Sequence, residues 1–115
     1  MYTKNNNHNI VLYDVDDTLV AIDPIEGVEP LVIENGPYKE VVYPIHQEIK
    51  RLKQAKMRGH YVRVHSQGGS DWAETVVKAL ELENYVDSIE TKPKWYHDDL
   101  PADSWMSRFY EGPKR

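Results

Sequence analysis

Apolar residues along this chain come in short runs whose period changes, and the changes mark out the elements. Ile10-Val11-Leu12-Tyr13 is an unbroken apolar run that stops at Asp14. Such a run predicts a strand buried on both faces of a parallel sheet. Leu31-Val32-Ile33 and Val41-Val42-Tyr43 flank Glu34-Asn35-Gly36-Pro37, and Asn-Gly between β-formers predicts a hairpin. The Pro/Gly-marked stretch 20–43 therefore reads as a short flap inserted after the first strand. From 44 to 58 the period becomes helical: Ile45, Ile49 and Leu52 form a stripe with Ala55 beside it, Pro44 suits the first position and Gly59 the stop. Residues 61–65 predict a second strand ending at Ser66. A helix capped by Ser70 or Asp71 follows to about Leu82, with Trp72, Val76, Ala79 and Leu80 inward. Residues 85–89 predict a third strand, 94–97 a fourth ending at Asp98-Asp99, and 102–110 a last helical turn or two. Strands alternating with helices place the chain in the α/β class, with a parallel sheet of about four strands flanked by helices and right-handed crossovers.

Length and composition narrow this further. The 115 residues suit one domain, with 1–8 a flexible leader and 100–115 a short C-terminal segment. There is no cysteine, so disulfides and thiolate metal sites are excluded, and a cytoplasmic location is expected. Apolar runs of only a few residues exclude a membrane span, and the polar start lacks the core of a secretion signal. A formal charge of −5 argues against an extended nucleic-acid groove, though not against a phosphorylated substrate.

The chemistry gathers where strands end. Asp14-Val15-Asp16-Asp17-Thr18 closes the first apolar run with three carboxylates and a hydroxyl. In an extended chain Asp14 and Asp16 share a side about 6–7 Å apart, and a divalent cation between them relieves their repulsion. An EF-hand loop starting at Asp14 is excluded, because its sixth and twelfth positions are Leu19 and Ile25. Ser66, Lys92 and the pair Asp98-Asp99 complete the candidates. His46, His60, His65 and His97 lack zinc-type spacing, and Trp72, Trp95 and Trp105 read as core or rim aromatics.

This order of motifs resembles the haloacid dehalogenase-like (HAD) hydrolase superfamily, over residues 10–99. Asp14-x-Asp16-x-Thr18 matches its first motif, Ser66 its second, Lys92 its third (with Lys94 the lesser candidate) and Asp98-Asp99 its fourth. The resemblance implies a small Rossmann-like fold and a Mg²⁺-dependent phosphatase. It makes Asp14 the nucleophile that becomes an aspartyl-phosphate, and Asp16 the general acid and base. It places Mg²⁺ on Asp14, Asp16 and Asp98, with Asp99 orienting a metal-bound water. Phosphate would rest on Ser66, Thr18 and the backbone near Gln67 and Gly68, with Lys92 neutralising charge. Only 25 residues, 19–43, separate Thr18 from the first predicted helix, too few for the cap domain many members carry. The expected protein is a cap-less phosphomonoester hydrolase with an open site, a homodimer covering a sheet edge, and a slight preference for a nucleotide or nucleic-acid end. Two alternatives are a receiver-like signalling domain with Asp87 as phosphoacceptor, and a catalytically silent binding protein on the same scaffold.

Overall fold

The computed structural model describes residues 2–107. Three strands, β1 (Ile10–Asp14), β5 (Tyr61–Ser66) and β6 (Ser88–Thr91), form a parallel sheet in the order β1-β5-β6. Between β1 and β5 come β2 (Val20–Ala21), β3 (Leu31–Asn35), β4 (Tyr38–Pro44) and helix α1 (His46–Met57); helix α2 (Ser70–Ala79) joins β5 to β6. The protein is thus a mixed α/β fold with a three-stranded parallel sheet flanked by helices.

The stretch after β1 builds a second, antiparallel sheet in the order β2-β4-β3. Asn35 pairs with Tyr38, so Gly36 and Pro37 form a two-residue turn, and Gly36 takes the left-handed φ of 61° that such turns require. This hairpin is no free flap. Ile33 and Val42 are buried in the same core as the parallel sheet, and β3 lies against α2.

Helix α1 starts two residues later than Pro44, which ends β4, and stops at Met57, where the Arg58 and Gly59 N–H groups donate to Gln54, Ala55 and Lys56 carbonyls. Leu52 and Ala55 of α1 and Ala73, Val76 and Val77 of α2 pack on Val11, Tyr13, Val62 and Val64. Those four strand positions share one face of the sheet, because successive strand residues alternate sides. On the opposite face Ile10 and Leu12 remain 44% and 38% exposed. The expectation of a strand buried on both faces is therefore corrected: burial in β1 alternates, and both helices cover the same side.

Two further expectations change. The third strand is shifted to Ser88–Thr91, and Glu83–Tyr85 is a 3₁₀ turn. Asp87 is the reason: its carboxylate accepts the Val62 N–H at 2.8 Å and pairs with Lys56 Nζ at 2.7 Å, which occupies the position a ladder would need. The fourth strand does not form. Residues 94–97 carry no sheet pairing, Trp95 is 88% exposed, and Asp98 bends the chain by accepting the Leu100 N–H at 3.0 Å. Pro93, which lacks an N–H, precedes them. Among the described residues the parallel sheet thus has three strands, and the four expected are not seen. Of the expected terminal helix at 102–110, only a 3₁₀ turn at Ala102–Ser104 is seen, and the rest beyond 107 lies outside the described residues. Among the described residues no helix is long and apolar enough to cross a membrane.

Asp87 ties the end of α1 to the start of β5 and to the loop before β6. Partial burial alone would raise its carboxyl, but the hydrogen bonds from Lys56 and the Val62 N–H outweigh this and hold it below the ordinary value. A depressed folded pKa gives stability that is present above the unfolded value and lost as pH falls through the folded one. Asp87→Ala is expected to lower unfolding stability by about 1–2 kcal/mol at pH 7. Urea denaturation should show the difference from wild type narrowing below about pH 4; an unchanged gap at pH 3 would contradict the assignment.

Candidate active site

Strand pairing alone brings three elements of the site to one place. Asp14 is registered against His65, so Ser66 lies one residue further along β5, and Thr91 pairs with Ser66. Lys92 follows directly, its N–H donating to the Ser66 carbonyl at 2.9 Å. All of these stand at the carboxyl end of the parallel sheet, where ligands of such sheets bind. Lys92 Nζ lies 4.0 Å from Asp14 Oδ1, with both side chains about one-third exposed. At that exposure the pair contributes about 0–1 kcal/mol to stability, so its interest is positional. Lys94, by contrast, is exposed on the segment beyond.

After Asp14 the chain does not continue extended. Leu19 and Val20 N–H groups donate to the Val15 carbonyl at 2.9 and 3.2 Å, and the Asp17 N–H donates to Val20 at 2.7 Å. Asp17 adopts a left-handed φ of 64°, which Asp tolerates better than most residues. This tight turn replaces the extended geometry expected for Asp14 and Asp16, and it gives the two acids different neighbours. Asp14 faces Lys92. Asp16 turns toward α2, where its Oδ1 accepts the Trp72 indole N–H at 3.2 Å and its Oδ2 lies 3.5 Å from Ser66 Oγ.

Ser66 is fully buried, and its Oγ accepts the Gly68 N–H at 3.0 Å. The 67–69 loop is compact because glycine fills its tight positions. An added Cβ at Gly68 would stand 3.3 Å from Trp72 Cδ1, and Gly69 has φ +102° at the start of α2. Gln67 is exposed in this turn, and Thr18 is half-buried. The Ser70 N–H donates to Thr91 Oγ1 at 3.0 Å, locking the loop to β6.

A cleft of about 960 Å³ opens beside these groups. Asp14, Asp17, Thr18, His65 and Lys92 line it, with Trp105 in its wall. His65 is nine-tenths buried and its Nδ1 has no hydrogen-bond partner. Burial lowers its pKa and the Lys92 charge lowers it further, against the opposing pull of Asp14. A neutral imidazole beside Asp14 follows.

The expected fourth motif is not brought to the others. Asp98 and Asp99 are exposed and do not line the cleft. The Leu100 N–H and the neighbouring Asp99 hold the Asp98 carboxyl below its ordinary value, so it is committed to its own turn. Among the described residues no three acidic or histidine side chains lie close enough together to hold a metal ion. Asp98 lies on an exposed segment and not at a strand end, because the strand that was to carry it does not form. The Asp14 carboxylate and the Asp16 carbonyl are hard oxygen donors, the ligand type magnesium takes alongside water and phosphate, whereas the Asp16 carboxylate faces Trp72 and Ser66.

Trp72 is the residue the sequence reading misses, since it reads there as a core or rim aromatic on the inward face of its helix. It does pack there, but it also donates to Asp16. The signal was its place in the first turn of the helix that directly follows the Ser66 loop. Comparisons of the chain with known protein families, with curated proteins and with solved structures find no match.

Gly69→Ala is expected to destabilise the protein by about 1–3 kcal/mol, since its φ and ψ of 102° and 163° fall where side-chain residues are strained. Urea titration of the purified variant reads this directly. A stability equal to wild type would show that the 67–69 loop is not held in this conformation.

Proposed function

We propose that this chain is a Mg²⁺-dependent phosphomonoester hydrolase of the HAD-like type, a single cap-less, Rossmann-like domain working through an aspartyl-phosphate on Asp14. The observation that carries the reading is the convergence of Asp14, Asp16, Ser66 and Lys92 from separate elements at the carboxyl end of one parallel sheet. Asp14 and Lys92 line the cleft, and Asp16 and Ser66 lie directly behind them; an acidic nucleophile, a second acid, a hydroxyl and a cation so grouped are what phosphoryl transfer asks for: positioning and charge stabilisation.

In the first half-reaction an Asp14 carboxylate oxygen bonds to phosphorus while the bond to the substrate oxygen breaks. That oxygen leaves with the electron pair and takes a proton from the Asp16 carboxyl. In the second, water gives a proton to the Asp16 carboxylate and its oxygen attacks phosphorus. The bond to Asp14 breaks, freeing phosphate and regenerating both acids. Splitting the hydrolysis this way replaces one hard displacement by two easier ones. Lys92 offsets negative charge beside Asp14, and Ser66 with the Gly68 region would hold phosphate oxygens once substrate draws the Gly68 N–H and the Ser66 hydroxyl from their mutual hydrogen bond. Asp14 and the Asp16 carbonyl would hold the metal, which when bound supplies charge neutralisation on the phosphoryl oxygens.

The open cleft, with no cap inserted in 19–43, favours a large phosphomonoester, and a nucleotide or polynucleotide end fits the aromatic Trp105 in its wall. A cytoplasmic location and a homodimer belong to the same reading. Asp87, the acceptor a receiver domain would need, sits before β6 and is paired with Lys56. It stands at the end of the sheet away from Asp14, which counts against that alternative.

Asp14→Asn should abolish turnover of phosphomonoesters while leaving the melting temperature near wild type, and Asp16→Asn should slow it by about 10²–10⁴. EDTA should remove wild-type activity and added Mg²⁺ restore it. A wild-type protein inert across nucleotide, sugar and aryl phosphates would instead favour the silent binding scaffold, and undiminished activity in Asp14→Asn would refute the nucleophile.

A further inference from the structure

We infer that Trp72 is a positioning residue for Asp16, holding that carboxylate for proton transfer while taking no part in the transfer itself. The inference rests on the phosphatase reading and adds to it a residue that no motif assigns.

Asp16 sits on a turn, not on a strand, so its side chain needs a hold from outside its own segment. The Trp72 indole N–H, from 56 residues further along the chain, supplies it at 3.2 Å on Oδ1. The alternative hold is weaker: Ser66 Oγ lies 3.5 Å from Oδ2, at the outer limit of a hydrogen bond. An indole N–H is a donor only. It can neither accept the proton that Asp16 must give and take nor offer a competing basic site.

The seat of the indole is built from both sides. Ala73 and Val76 of the same helix are buried in the core. Gly68 passes so close that a Cβ there would meet Trp72 Cδ1 at 3.3 Å. The first turn of α2 is tied down by the Ala73 N–H to the Gly69 carbonyl at 3.1 Å and the Ser70 N–H to Thr91 Oγ1 at 3.0 Å. With Oδ1 engaged by the fixed indole, the orientation of the carboxylate is set before substrate arrives, and positioning of this kind is where much of a rate enhancement resides.

The leaving group supplies the discriminating test. Departure of an alkoxide requires the proton from Asp16, whereas departure of 4-nitrophenolate does not. The ratio kcat/KM reports only the steps up to aspartyl-phosphate formation, so slow hydrolysis of that intermediate does not blur the comparison. In Trp72→Phe with Mg²⁺ present, kcat/KM for glycerol phosphate should fall about tenfold or more. For 4-nitrophenyl phosphate it should change by less than about threefold. An equal fall on both substrates would mean a merely structural role and overturn the inference. If wild type hydrolyses neither these esters nor nucleotide and sugar phosphates, the phosphatase reading itself has failed.

A second readout needs no turnover. In ¹⁵N-labelled, metal-free full chain, Asp16→Ala should move the Trp72 indole N–H resonance and speed its exchange with solvent, leaving those of Trp95 and Trp105 in place. An unmoved Trp72 resonance would overturn the contact even where Trp72→Phe proves too unstable to assay.

Discussion

The parallel pairing of β1 with β5 is the constraint on which the rest of this molecule depends. Its register sets Asp14 beside His65, and that single alignment brings Ser66 and, through the next pairing, Thr91 and Lys92 to the same level. A slip of β1 by one residue would send its side chains to the opposite face, moving Val11 and Tyr13 out of the core and away from Val62 and Val64. The register is therefore held by burial of four apolar side chains against two helices. The site borrows its geometry from the core and needs little bonding of its own.

That arrangement leaves the sheet one-sided. Both crossover helices lie over the face of Val11 and Tyr13, and β1 is an edge strand with Ile10 and Leu12 exposed. Edge strands present unpaired backbone groups along their length, and here the cleft runs beside that edge up to Asp14. The antiparallel sheet inserted after β1 does not close over it, because Ile33 and Val42 draw the hairpin into the core beneath α2. The openness of the site follows from where the apolar residues of the hairpin point.

The two acids of the first motif illustrate how a short turn can separate roles. Asp14 ends a strand and meets Lys92 across the mouth of the cleft, while Asp16 is turned inward to an indole N–H and a buried hydroxyl. Identical side chains two residues apart thus acquire different surroundings, the usual means by which one carboxylate serves as nucleophile and its neighbour as acid and base. Burial and the Lys92 charge lower the His65 pKa against the pull of Asp14, which disfavours a further charge at this crowded end.

Much of this was legible in the residues alone. The apolar run 10–13, the Asn35-Gly36 turn, the helical stripe of Ile49 and Leu52 and the glycine stops are local signals, and each reflects a backbone preference or a period that short segments express by themselves. The candidate residues Asp14, Asp16, Ser66 and Lys92 were visible for the same reason: reactive side chains placed where strands end. Decisions requiring a partner were not legible. Whether 94–97 pairs depends on a free neighbouring strand and a face to bury, and Pro93, the exposed Trp95 and the Asp98 turn decide against it. The start of β6 was moved by an Asp87 carboxylate reaching Val62 and Lys56, 25 and 31 positions away. Nor does any spacing reveal that Trp72 would meet Asp16, since a contact across 56 residues exists only once α2 has docked on the sheet. Local chemistry is written in the chain, whereas contacts between distant segments are chosen by packing.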